Sequence, residues 1–238
     1  MKLDILAFAA HPDDVELACS GTVIKHINAG KKVGVVDLTL GELGTRGTPD
    51  IRSVEAEAAS MVMGLATRDN LGFRDIFFTN DETHQLEVVK RIRQYQPEII
   101  LANAVHDRHP DHSRASQLVS QACFMAGLPK IETTLDGNRQ KEWRPKAVYH
   151  FIQSSYVAPD IVVDISDTFE RKMESIKAYG SQFHDPNSDE PETFISGSQF
   201  LDLIKARALD LGKTIGVEYA EGFTVERVPG VNNLFDLI

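Results

Sequence analysis

The chain has 238 residues and 26.4 kDa, with 42% hydrophobic and 25% charged residues, 35 acidic against 25 basic side chains and a net charge of −10. That apolar content excludes a disordered chain, and the acidic balance lacks the basic footprint of a general nucleic-acid binder. No apolar run nears the roughly 18 residues of a membrane span, and two distant cysteines, Cys19 and Cys123, cannot build a disulfide framework.

The first element is LDILAFAA, Leu3 to Ala10, a short apolar run that suits a buried parallel strand. It ends at His11-Pro12-Asp13-Asp14, and a helical pattern follows to a glycine stop at Gly30. The opening residues lack the longer apolar core of a secretion leader and carry Asp4, so a cytoplasmic protein is expected. Val33 to Leu40 is a second buried strand, opening into the glycine-rich loop Gly41 to Pro49. A helix over 50–63 with Asp50 as its cap, a weak strand near 70–73 and a helix over 84–95 come next.

Glu98 to Val105 is the clearest strand of the middle section, and it runs into His106-Asp107-Arg108-His109-Pro110-Asp111-His112 and a helix to Met125. The polar stretch 136–145 reads as a connection, 147–153 and 161–166 as strands. Helices near 168–179 and 199–212 flank a polar loop over 184–192. This alternation predicts a three-layer, Rossmann-like α/β fold, one domain over 1–238, with a mostly parallel sheet covered on both faces.

The tripeptide His-Pro-Asp occurs twice, at 11–13 and 109–111, each time between a buried strand and a helix. Each proline fits the first helical position, where its missing N–H is harmless. Ligands of open parallel sheets bind beyond the carboxyl ends of the strands, and neighbouring strands lie about 4.8 Å apart. Loops leaving adjacent strands can therefore meet over one ion. Taken singly, Asp13, Asp14 and Asp111 need do no more than complement helix dipoles. Together with four of the chain's eight histidines, they form a cluster that would be costly to bury without a cation.

Imidazole and carboxylate without a nearby thiol favour zinc or another transition metal over calcium or magnesium. His11 and Asp14 can converge on one ion and His112 can complete the set, with a position left for water. Asp13 is then the spare carboxylate that takes a proton, and His109 the spare imidazole that donates to an oxyanion. The loop Gly41 to Gly47 is neither a P-loop nor a dinucleotide fingerprint and reads better as an active-site wall carrying Arg46. Arg52 follows in or near the next helix. Cys19, Cys123 and Trp143 read as packing. His26, His84 and His150 lack acidic neighbours of the right kind, and His106 is open between a metal-supporting and a surface role.

AHPDD (10–14) with HPDH (109–112) resembles the zinc-dependent N-deacetylases of the LmbE/PIG-L group. GELGTRGTPDIR (41–52), DRHPDHSRAS (107–116), GSQF (180–183) and YAEGF (219–223) resemble its bacillithiol-biosynthesis branch, which removes acetate from N-acetylglucosaminyl malate. The resemblance implies one zinc per chain, replaceable by ferrous iron or another divalent metal, with ligands His11, Asp14 and His112. It implies Asp13 as general base, His109 as oxyanion donor or acid with Asp111 orienting it, and Arg52 at the substrate. A malate-bearing substrate needs local cations, and Arg46, Arg52 and Arg108 are the candidates. The implied protein is a homo-oligomer, trimer or hexamer, acting on an N-acetylated amino sugar, with no nucleic-acid or membrane partner. Two other classes compete: a metal-dependent phosphoesterase, for which the bridging carboxylates are too few, and a metal-stabilised sugar- or nucleotide-binding protein, which would have no use for Asp13.

Overall fold

The strand β1 (Ile5–Ala9) is buried at every position, which is why it reads as an unbroken apolar run. The computed structural model that contains it describes residues 1–183 and 189–237, so residues 184–188 of the expected polar loop lie outside the described residues. The helix α1 (Asp14–Asn28) starts behind Asp13, and β2 (Val33–Thr39) is again fully buried. Helix α2 (Pro49–Met63) is capped by Thr48, whose side chain accepts from the Ile51 N–H, and not by Asp50 as the sequence predicted. Pro49 takes the first helical position, where no N–H is needed, and this moves the cap one residue earlier.

Strand β3 (Thr67–Phe73) begins three residues before the predicted one, and its half-exposed residues at the sheet edge explain the weak signal. Helix α3 (Glu82–Tyr95), β4 (Ile99–Ala102) and α4 (Pro110–Ala126) follow. Pro110 opens α4 as expected. Pro12 does not open α1, because Asp13 holds the cap position and Pro12 lies before it. The connection after α4 contains a short hairpin, β5 (Thr134–Leu135) and β6 (Asn138–Arg139). The remaining elements are β7 (Ala147–Phe151), β8 (Ile161–Asp164), α5 (Phe169–Lys177), α6 (Phe200–Ile215) and β9 (Ala220–Val225).

The main sheet runs β3-β2-β1-β4-β7-β9-β8. The pairings from β3 to β7 are parallel, and β9 runs antiparallel to both β7 and β8. Alternate residues of β1 serve opposite faces. Leu6, Phe8 and Ala10 pack with Val88, Ile92, Leu118 and Val119 of α3 and α4. Ile5, Ala7 and Ala9 pack with Val15, Val23 and Ile24 of α1 and Met63 of α2. From β1 the chain builds outward to β2 and β3, then returns to place β4 on the other side of β1. The loops leaving β1 and β4 therefore diverge around a crevice at this switch point, and each carries one His-Pro-Asp motif.

Strand β9 was absent from the sequence reading because Glu221 and Gly222 interrupt its apolar pattern. Glu221 is buried and accepts from Lys172 Nζ at 2.7 Å and from the Gly21 and Thr22 N–H groups of α1 at 3.0 and 2.7 Å. Lys172 also donates to the Glu16 and Leu17 carbonyls. An added methyl at Gly21 would come within 2.8 Å of Ile165 and 3.0 Å of Glu221 Oε1, so this close approach requires glycine. Removing one member of a buried pair leaves an uncompensated charge. Lys172→Met is therefore expected to destabilise the fold by about 3–5 kcal/mol, read as a lower urea midpoint.

Candidate metal and catalytic site

The two diverging loops bring His11, Asp13, Asp14, His109 and His112 onto one cleft of about 490 Å³. Asp14, at the first position of α1, turns back so that its Oδ2 accepts from the His11 N–H at 2.9 Å. His112 Nε2 lies 3.0 Å from Asp14 Oδ1, and His11 Nδ1 lies 3.6 Å from Asp14 Oδ2. Partners on the far side of each ring decide which nitrogen carries hydrogen. His112 Nδ1 donates to Asp107 Oδ1 at 2.9 Å. His11 Nε2 faces Asp75 at 3.1 Å and Asp111 at 3.4 Å, and so holds its proton there. In its neutral form each imidazole presents a lone pair on the nitrogen that faces Asp14. This is the carboxylate–histidine arrangement that serves metal ligands, so the donor set fits a cation of the zinc class.

Among the described residues, ligand atoms of His11, His109 and His112 lie within 4.8 Å of one another, as do those of His11, Asp75 and Asp111. The second trio is already occupied. Asp111 accepts from Arg114 and from the Ile76 N–H, and Asp75 accepts from the Leu43 N–H. In the first trio, His109 Nδ1 accepts from the Asp111 N–H at 3.3 Å, capping α4. That bond places the His109 proton on Nε2. It also means that Asp111 touches His109 through its backbone, while its carboxylate serves His11.

The electrostatics follow from burial and these pairs. Burial disfavours a charged imidazole, but the facing carboxylates outweigh it, raising His11 well above its ordinary value and His112 to about 9. A cation can replace the protons so held. Among the described residues His109 has no such carboxylate contact; burial, with His11 and His112 nearby, lowers it to about 4. Asp13 is 5% exposed, and burial pushes its carboxyl up to about 7 against the pull of Arg52. Its backbone has φ 113°, a left-handed conformation costly for a residue with a Cβ. The side chain does not cap the helix; Oδ2 instead accepts from Arg52 at 2.9 Å.

The three arginines expected near the substrate differ in their surroundings. Arg52 is buried and donates to Asp13, the Pro12 carbonyl and the Gly41 carbonyl, leaving Nε without a partner among the described residues. Gly41, at φ +64°, is required beneath it, because a methyl there would sit 2.0 Å from the guanidinium. Arg46 is buried and paired with Glu190. Arg108 is exposed at the rim, 4.2 Å over the Phe194 ring, with no ion pair to a carboxylate among the described residues.

Several site residues escaped the sequence reading. Asp107 was legible, since it stands inside the second histidine loop. Asp75, Asn103, Gln153 and Arg207 gave no local signal. His106 is exposed, so the supporting role in its loop falls to Asp107. His84 and His150 do have acidic neighbours, contrary to expectation: Asp81 at 2.8 Å and Glu226 at 3.1 Å. Both pairs form only on folding of turns and strands outside the cleft. Cys19 and Cys123 are buried, and Trp143 packs on the core and donates to the Pro97 carbonyl, as expected.

Comparison with known proteins shows the family. A family model described as PIG-L, GlcNAc-PI de-N-acetylase, matches residues 6–123, the part that holds both motifs. The chain is 28% identical over 239 residues to the diacetylchitobiose deacetylase of Thermococcus kodakarensis, spanning 95% of this chain and 84% of that one. It is 28% identical over 195 residues to a probable N-acetyl-α-D-glucosaminyl L-malate deacetylase 2 of Bacillus cereus, spanning 76% and 84%. The crystal structure of the conserved protein TT1542 from Thermus thermophilus superposes with a TM-score of 0.86 at 33% identity, over 98% of both chains. With its paired histidine loops, α/β frame and these relatives, the chain belongs to the PIG-L/LmbE family of deacetylases.

Proposed function

We propose that the protein hydrolyses the acetamide of N-acetylglucosaminyl malate, with His11, Asp14 and His112 holding one zinc-class ion. The observation that carries the deacetylase chemistry is Asp13: a buried carboxylate at the cap position of α1 whose side chain makes no capping hydrogen bond, lining the cleft beside the His11, Asp14 and His112 cluster. A bound divalent ion supplies Lewis acidity toward a carbonyl and toward water. Asp13 Oδ1, the oxygen not tied to Arg52, accepts the proton of the attacking water as its oxygen bonds to the acetamide carbon. His109 Nε2–H donates to the developing oxyanion, a contact worth about 3–4 kcal/mol in comparable sites. Asp13 then delivers the proton to nitrogen, the C–N bond breaks, and acetate and the free amine leave. Because His109 Nδ1 is engaged as an acceptor, this imidazole acts as a donor and Asp13 carries the proton in both steps.

The malate reading is supported by Arg108, the rim guanidinium without a carboxylate partner among the described residues, and by the malate deacetylase relative. Arg52 acts on this reading by holding Asp13. A second reading, an N-acetylated disaccharide, is favoured by Phe194 and Leu203, which line the cleft with 51% and 58% of their surfaces exposed and offer apolar faces to a second sugar ring. Arg108→Ala is expected to lower kcat/KM for N-acetylglucosaminyl malate about 10–100-fold, the range of a charge-assisted contact, and to leave N-acetylglucosamine and diacetylchitobiose nearly unchanged. Arg52→Ala should reduce turnover of all three alike. Faster release of acetate from diacetylchitobiose than from the malate conjugate by the unaltered enzyme would select the disaccharide.

The roles of the neighbouring carboxylates separate in a second experiment. Asp13→Asn retains shape and loses the proton acceptor, so metal content should stay near one ion per chain while turnover falls roughly 10²–10⁴-fold. Asp14→Asn should lose metal. Equal metal content in the two variants, measured by elemental analysis, would contradict this division.

A further inference from the structure

The Asp14 carboxylate is gripped by two neutral amides from different strands. Asn103, just after β4, donates from Nδ2 to Asp14 Oδ2 at 3.0 Å. Gln153, just after β7, donates from Nε2 to Asp14 Oδ1 at 2.8 Å. Amide groups can be turned either way, and the surrounding network decides. Asn103 Oδ1 accepts from the Ala10 N–H at 2.8 Å, so its Nδ2 must face Asp14. The same Nδ2 donates to Gln153 Oε1 at 3.0 Å, which also accepts from the Ala104 N–H at 3.3 Å. Gln153 is thereby turned with its nitrogen toward Asp14. Its main-chain carbonyl is held by Arg207 of α6, which also donates to the Leu17 carbonyl of α1 at 3.2 Å. Asn103 and Gln153 are 0% and 5% exposed.

We propose that Asn103 and Gln153 are positioning residues, an interlocked amide pair that fixes the direction of the Asp14 carboxylate and so sets the affinity of the site for its cation. The inference rests on the reading of Asp14 as a ligand. The residue type follows from charge. A lysine or arginine in either place would cancel the Asp14 charge and oppose a divalent ion. A carboxylate would add a second acceptor where a donor is needed. An amide supplies the N–H and no charge; Asp14 Oδ2 is filled by Asn103 and the His11 N–H, while Oδ1, gripped by Gln153 alone among the amides, keeps a lone pair for the ion. The grip also ties the ends of β1, β4 and β7 to α1, so the ligand direction is set by the frame of the sheet.

The test measures zinc affinity directly, on the full chain stripped of metal, by competition with a chromogenic chelator. Circular dichroism checks that each variant is folded. Gln153→Ala and Asn103→Ala are each expected to raise the zinc Kd about 10–100-fold, the usual effect of removing a group that orients a ligand. Asn103→Asp retains the acceptor for Ala10 and loses the donor to Asp14. It keeps the proposal testable should the alanine variant fail to fold, with the same direction expected. A merely structural pair would lower the thermal stability of the metal-free protein and leave Kd unchanged. Unchanged Kd in folded Gln153→Ala and in a folded Asn103 variant, alongside weakened binding in Asp14→Asn, overturns the proposal. Unchanged binding in Asp14→Asn overturns the ligand assignment instead.

Discussion

A carboxylate removed from water needs donors or counter-charges, and this protein buries five of them, Asp13, Asp14, Asp75, Asp107 and Asp111, around two imidazoles. Each is satisfied in a different way. Asp107 takes the Ser154 and Ser155 N–H groups and the His112 ring, and Asp75 the Leu43 N–H and the His11 ring. Asp111 takes Arg114 and the Ile76 N–H, Asp13 takes Arg52, and Asp14 takes two amides and a backbone N–H. The division of chemical labour follows. Carboxylates whose oxygens are filled by fixed donors orient histidines, whereas Asp14 and Asp13 keep capacity toward the cleft.

A second charged layer lies directly beneath. Arg68 bridges Glu16 of α1, at 2.6 Å, and Asp37 of β2, at 2.7 Å, and Tyr179 donates to the same Glu16 oxygen. Lys172 and Glu221 grip the next turn of the helix. Buried ion pairs of this kind add little net stability compared with apolar packing. What they supply here is direction, because a helix held at its backbone carbonyls and N–H groups cannot slide relative to the sheet. The strain at Asp13 depends on that restraint. A left-handed aspartate persists only where its surroundings over-determine it, and Arg52 on one side with the anchored α1 on the other do so.

The glycine loop serves the same end. Gly41 lets the Arg52 guanidinium lie against the backbone. Gln182 donates to the Arg46 carbonyl, and Ser181 binds Glu55 of α2, so the short GSQF segment latches the loop wall to the helix behind it. Arg46 and Arg52 are thus committed to building the cleft. Arg108 is exposed at the rim, over the Phe194 ring.

Local pattern determined much of this molecule. Unbroken apolar runs identified β1, β2 and β4, because strands buried on both faces have no polar side to show. The repeated His-Pro-Asp motif between strand and helix marked the cluster of imidazoles and carboxylates in the cleft, a donor set that suits a transition metal. An element that depends on its partners was hidden, β9, whose Glu221 is buried only because Lys172 reaches it, and β3 gave only a weak, late-starting signal because its edge position leaves it half exposed. Only the tertiary structure decided the switch at β1 and β4 that brings the two motifs together. It alone decided which proton each histidine holds, and that Arg52 faces Asp13 while Arg108 is left at the rim. Asp75, Asn103, Gln153 and Arg207 come from four separate segments, and a hydrogen bond between distant residues leaves no trace in the spacing of either one.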